Sequence, residues 1–199
     1  MAHREGTVTR ELSTGLRAIE GMTDAEAISA SLTDPEAFAV LFNRHFDAIH
    51  GYVQRRVGPN LADELAAETF SRAFDRRRRY DSGRDDARPW LLGIASNLLR
   101  RHWRSERRRL DAYARSGSRD DAELSGPLAA ELATAVKALP RREREPLLLL
   151  AWADLSYDEI AHALDIPVGT VRSRISRART KLRGPHLDSY RPQEAPHNG

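Results

Sequence analysis

The chain has 199 residues, 40% of them hydrophobic and 31% charged, with a net charge of +3, enough for one ordinary domain or two small ones that each bury a modest core. It contains no cysteine, which excludes disulfide staples, thiolate metal sites and cysteine nucleophiles. No run approaches the ~18 consecutive apolar residues of a membrane segment, and the opening stretch MAHREGTVTRELSTG lacks the apolar core of a secretory signal, so a cytoplasmic protein is expected.

Residues 1–33 read as a polar N-terminal extension of weak periodicity, mobile or loosely helical. At Asp34 the pattern sharpens. Asp34 can cap a helix and Pro35 suits its first position, and Phe38, Leu41, Phe42, Phe46, Ile49, Tyr52 and Val53 recur at helical spacing up to Gly58 and Pro59. A second helix is predicted over 61–78, with Asn60 as its cap and Leu65, Phe70, Ala73 and Phe74 in the core. The stretch RRRRYDSGRDDA reads as a frayed end and a loop.

Pro89 reopens helical structure. Leu91, Ile94, Ala95, Leu98 and His102 mark a buried face, while Asn97, Arg101, Arg104 and Arg108 share another. Trp90 and Trp103 read as core anchors. The chain turns polar from about Ser105, and 110–127 reads as an interdomain linker. A second helical unit opens near Leu128 with Leu132, Val136 and Leu139 on one face. A further helix carries Leu147 to Trp152, with Pro146 tightening or kinking its first turns. Ser156 and Glu159 then form a capping box for a short helix. Asp165, Ile166 and Pro167 make a turn, and Val171, Ile175, Ala178 and Leu182 are the core face of a last helix. The tail, 184–199, is expected to be disordered. The fold class is all-α, with two small helical domains, 34–109 and 128–183, joined by a flexible linker.

The charge distribution narrows the function. Leu98 to Leu110 holds six arginines against one glutamate, and Val168 to Arg183 holds five arginines and one lysine with no acid. Solvated faces usually mix signs, so an acid-free basic helix calls for an anionic partner. Leu155 to Leu182 combines a capped helix, a short turn and a second helix with an apolar stripe and a basic outer face, the layout of a DNA-binding helix-turn-helix. Thr170, Arg172, Ser173, Ser176 and Arg177 lie off the stripe, where such helices meet base edges and phosphates. The run WLLGIASNLLRRHWR combines aromatics, an Asn of poor helix propensity and arginines, as suits single-stranded nucleic acid. Asp63, Glu64 and Glu68 form an acidic strip. Phosphate-binding loops, zinc-protease and serine-hydrolase motifs are missing from the sequence, so neither catalysis nor a cofactor is expected.

The two motifs in this order resemble an extracytoplasmic-function (ECF) sigma factor. The segment from Asp34 to about Arg109 resembles sigma region two, through DELAAETFSRAF and PWLLGIASNLLRRHWR, and the segment from about Leu128 to Arg183 resembles region four, through LSYDEIAHALDIPVGTVRSRISRAR. The resemblance implies that region two grips the β′ clamp helices of RNA polymerase core through Asp63, Glu64 and Glu68. It implies that Asn97 contacts non-template bases of the minus-10 element, with Arg100, Arg101 and Arg104 on phosphates. The loop from Asp81 to Arg88 would border a pocket for a flipped base. Region four would dock at the β flap and read minus-35 promoter DNA through Thr170, Arg172, Ser173, Ser176 and Arg177. An anti-sigma factor is a further partner the family allows. The sequence departs from the family where Asp165 replaces a common Gly, where Ser176 is smaller than usual, and where Pro146 replaces a helix former. Two other readings compete: a stand-alone helix-turn-helix regulator, and a helical protein-interaction module.

Overall fold

In a computed structural model the described residues are 21–113 and 127–183, and their secondary structure is entirely helical. The chain divides into two compact units, Met1–Gly117 and Ser118–Gly199. Residues 1–20, the segment 114–126 and the tail from 184 lie outside the described residues, and with them most of the expected linker and the expected disordered tail. No helix among the described residues is long and apolar enough to cross a membrane.

The first unit begins earlier than the periodicity indicates. Helix α1, Asp24–Ala30, starts at a capping box in which the Thr23 hydroxyl accepts from the Glu26 amide and the Glu26 carboxylate accepts from the Thr23 amide. Such a box is worth about 1 kcal/mol. Residues 22–33 therefore belong to the folded unit, which corrects the reading of 1–33 as a polar extension. The signal was present as T-D-A-E, but seven residues show too little periodicity to register.

Asp34 accepts from the Glu36 amide at 3.2 Å and opens a 3-10 turn, Pro35–Phe38, that runs into α2, Ala39–Val57. Gly58, at φ +78, ends α2, and Pro59 starts α3, Pro59–Arg76. Gly suits that positive φ, and Pro suits a first helical position because its missing N–H would have no partner there. Asn60 does not cap α3, which has no side-chain cap. After a 3-10 turn over Arg77–Arg79, α4 runs from Arg88 to Tyr113. Residues 110–113, expected in the linker, are helical.

Helices α2, α3 and α4 pack around Leu41, Ile49, Tyr52, Val53, Ala62, Ala66, Ala73, Leu91, Leu92, Ala95 and Leu99, each at most 1% exposed. Alanines along α3 allow close approach of its neighbours. The buried Tyr52 hydroxyl is satisfied by Ser96 at 3.3 Å and Arg56 at 2.8 Å.

The second unit comprises α5, Pro127–Ala138, α6, Arg141–Trp152, α7, Tyr157–Leu164, and α8, Val168–Leu182. Pro146 is buried inside α6, and the helix runs through it to Trp152. Its ring removes one donor, the amide that would otherwise bond the carbonyl of Arg142. The Ser156–Glu159 capping box forms, and Asp165 adopts left-handed geometry at φ 52, ψ 53. Asp154, between α6 and α7, also has a positive φ, of 51. Asp reaches this region at modest cost because its short polar side chain bonds locally. Val171, Ile175 and Ala178 of α8 seal against Leu148, Leu149, Leu155 and Ile160.

Three apolar positions differ from expectation. Trp103, Leu132 and Phe42 are 42%, 52% and 41% exposed. Trp103 continues the stripe of Leu92 and Leu99 one turn further along α4, and Leu132 sits on α5, which touches chiefly α8.

Candidate nucleic-acid interface

Two buried knots hold the surfaces in place. In the first unit Asp24 is 2% exposed and joins α1 to α2 and to the start of α4. One carboxylate oxygen accepts from Arg44; the other accepts from His45 Nε2 at 2.6 Å and from the Ala87 amide at 2.7 Å. Burial alone would raise the Asp24 pKa, but the hydrogen bonds from His45, Ala87 and Arg44, together with the charge of His45, outweigh it and hold the carboxyl below its ordinary value. Asp86 also brings a carboxylate oxygen within 4.8 Å of Asp24 and His45. Since both Asp24 oxygens are already engaged, this group is a structural clasp.

The clasp anchors the loop between α3 and α4. The Asp24 amide donates to the Asp85 carbonyl at 3.1 Å. Asp81 accepts from the Gly83 amide and Asp86 from the Arg88 amide, at 3.1 and 2.8 Å. These carboxylates serve their own backbone, which accounts for an acidic composition in a loop expected near DNA. The Tyr80 hydroxyl donates to the Arg84 carbonyl at 2.6 Å, and its ring meets Trp90 edge-on at 5.1 Å. Burial, and then the nearby charges of Asp24, Asp86 and Asp81, pushes the phenol pKa up.

Between α3 and α4 lies a cleft of about 360 Å³ lined by Arg72, Arg76, Ile94, Asn97, Leu98, Arg100, Arg101 and Arg104. All four residues expected at the minus-10 element line it. Asn97 is exposed, and its carbonyl oxygen accepts from Arg100, so its amide donors are left for another partner. Arg72 and Arg76 were missed, although they are four residues apart on one helix. Their partner wall is on α4, and only packing brings the two walls together.

Helix α3 carries Asp63, Glu64 and Glu68 toward one end and Arg72 and Arg76 toward the other, with exposed Asp75 between the two arginines. Asp63 and Glu64 lie in its first half and Glu68 at its middle, with the Asp63 side chain 88% exposed and bonded by His50 Nε2 at 2.9 Å. Beside them a ridge of Phe42, Phe46 and His50 runs along α2, stacked at centroid distances of 4.8 and 5.6 Å, with Phe70 of α3 at 5.0 Å from Phe42. Glu68 pairs with Arg72 at 2.6 Å.

In the second unit Arg172, Ser176 and Arg177 are exposed on α8, and Thr170 and Ser173 are partly buried. The Ser173 hydroxyl donates to the Thr170 carbonyl at 3.0 Å. Arg177 and Lys181 face Glu143 of α6, at 3.6 and 2.6 Å.

The Asn97 cleft, the acidic strip of α3 and helix α8 lie within two family matches. Residues 41–109 match "Sigma-70 region 2" and residues 129–182 match "Sigma-70, region 4". The ECF RNA polymerase sigma factor SigC of Mycobacterium tuberculosis is 38% identical over 165 residues, covering 79% of this chain and 88% of the relative. The ECF RNA polymerase sigma factor SigE of Mycolicibacterium smegmatis is 30% identical, covering 92% and 80%. The chain is an ECF sigma factor. It directs RNA polymerase to promoters, and its first and second units carry sigma regions two and four.

Among solved structures, CnrH in complex with the cytosolic domain of CnrY is 26% identical, with a TM-score of 0.61 over 84% of this sigma factor and 99% of that chain. The sigma factor RpoE in complex with the anti-sigma factor NepR from Bartonella quintana shares the fold, with a TM-score of 0.57 over 73% and 94% at 21% identity. The region-two match starts at Leu41, so α1 and Asp24 lie before it, while the residues that clasp Asp24 lie within it.

Proposed function

We propose that this sigma factor divides its work as its charge divides. The acidic strip of α3, Asp63, Glu64 and Glu68, meets the basic clamp helices of β′. The arginine-lined cleft around Asn97 holds the melted non-template strand of the minus-10 element, with Arg72 and Arg76 joining Arg100, Arg101 and Arg104 on phosphates. Helix α8 reads the minus-35 duplex through Thr170, Arg172, Ser173, Ser176 and Arg177, while region four docks at the β flap. An anti-sigma factor is a natural regulator, since two related folds were solved as complexes, one of them with a named anti-sigma factor. Working with polymerase, the protein acts in the cytoplasm.

The observation that carries this reading is the arginine-lined cleft around Asn97 with the acidic strip of α3 close beside it: a surface that must bind a cationic helix pair and an anionic strand needs both signs within ~20 Å of one helix. Purified core polymerase with this protein should start transcription at defined genomic sites by run-off assay; tight promoter binding by the free chain, indifferent to core, would favour a stand-alone regulator. Asp63→Arg combined with Glu64→Arg should weaken core association about tenfold or more, because exposed acids are replaced by charges that repel the partner, with the helical circular dichroism unchanged. Unaltered affinity would remove this strip from the interface.

Asn97→Ala should impair promoter opening more than closed-complex binding. Folding should survive, since the position is exposed and Ala is the better helix former. On a template pre-melted across the minus-10 element, where opening costs nothing, the variant should still bind about fivefold or more weakly, with the deficit tied to the base at one position. Full binding to that template would assign Asn97 no base contact.

A further inference from the structure

Among the described residues of the second unit, Glu143 is the most deeply buried acid that the division of labour above leaves unused. Its residue is 1% exposed, yet it stands on α6, and both its oxygens face cations of the DNA-reading helix. Oε2 accepts from Lys181 Nζ at 2.6 Å, and Oε1 lies 3.6 Å from Arg177 Nε. The two cations are four residues apart on α8, and their side chains are 47% and 54% exposed. One end of each is therefore in protein and the rest in solvent.

A carboxylate so enclosed is held by its cations, because an unpaired buried charge is strongly disfavoured. The converse matters for recognition. Arg177 has five N–H donors in a planar fork, and the carboxylate faces the Nε edge. One terminal amino group donates to the Ser173 hydroxyl at 3.5 Å. Guanine offers O6 and N7 in the major groove as paired acceptors, and an arginine fork meets them bidentately. A long side chain free in solvent would have to be ordered at the moment of binding, whereas one whose Nε is drawn toward a buried carboxylate 3.6 Å away starts from a narrower range of positions.

We propose that Glu143 is a positioning residue for base readout: it holds Arg177 by the Nε edge, with Lys181 as the second clamp, so that the terminal nitrogens present a fixed fork to a guanine of the minus-35 duplex. This rests on the reading of Arg177 as a base contact. Glu143 itself touches no DNA. It adds a negative charge behind the interface and exchanges some general affinity for discrimination.

The test uses holoenzyme assembled from the full chain and core, offered a duplex library randomised across the minus-35 segment, with bound and unbound pools sequenced. Glu143→Gln keeps the shape and removes the charge; Arg177→Ala removes the reader; Glu143→Asp keeps the charge but retracts it by one methylene, which serves if the Gln variant fails to fold. The expected result is that Glu143→Gln loses preference at the same base pair as Arg177→Ala. Its loss should be roughly three- to tenfold, with affinity for the pool as a whole equal to or above wild type and a steeper salt dependence. Glu143→Asp should lose part of that preference. If Arg177→Ala loses the preference while both Glu143 variants keep it, the positioning role is overturned and the Arg177 reading stands. If Glu143→Gln weakens binding to all sequences alike, with a lower melting temperature, Glu143 is structural only and the proposal fails. If Arg177→Ala alters no base preference, the Arg177 reading fails and the proposal with it.

Discussion

Asp24→Ala should destabilise region two by about 3–5 kcal/mol, the cost of removing one member of a buried charge cluster. The loss has several parts. His45, 7% exposed, loses its acceptor, and the Ala87 amide is left buried without a partner. Arg44, about one third exposed, can turn to water and recovers most of its contribution. Against a total of ~5–15 kcal/mol for a domain this is a large share. Calorimetry on the full chain should show the region-two transition lowered by on the order of 15 °C, with the region-four transition unmoved. A small shift would mean that α1 contributes little and that the clasp is incidental. The same group sets a pH dependence. Its folded-state pKa is held below the unfolded value, so its contribution is fully present above the ordinary Asp range and is lost as pH falls through the depressed value. Region two should therefore weaken in acid, and Asp24→Asn should flatten that limb of the profile.

Arg172→Ala should cost about 1–3 kcal/mol of minus-35 binding, concentrated at one base pair, if its guanidinium makes a bidentate base contact. Arg172 is exposed on α8, so the melting temperature of region four should hold. Arg177→Ala differs in kind. It removes one of the two cations facing Glu143, so a modest loss of stability should accompany the DNA effect, limited by the remaining Lys181 contact. Binding measured over single-base variants of the minus-35 segment separates the roles. A uniform loss across all variants would place Arg172 on phosphate, with the salt slope falling by about one.

Region four was legible in the sequence almost to the residue. Ser156 and Glu159 lie three apart, the stripe Val171, Ile175 and Ala178 repeats at four and three, and Asp165 needs only its own geometry to turn the chain. Each of these is settled within about one helical turn, where side chain and backbone meet without help from the rest of the fold. The acid-free run on α8 likewise needs no packing to be seen. Helical class and the two-unit organisation follow from such local patterns.

The tertiary structure decided what joins residues far apart in the chain. Asp24 meets Arg44, His45 and Ala87 across separations of 20, 21 and 63 residues, and no spacing rule links such positions, so a short capped helix passed for a polar extension. Arg72 and Arg76 join the Asn97 cleft only because α3 packs on α4. Phe42, Trp103 and Leu132 carry core-like spacing but are exposed, since periodicity tells which face of a helix is apolar and not how far its partner reaches. Glu143 is the sharpest case. By composition it is an ordinary acid in a polar helix start, and only the packing of α6 against α8 encloses it opposite the cations Arg177 and Lys181.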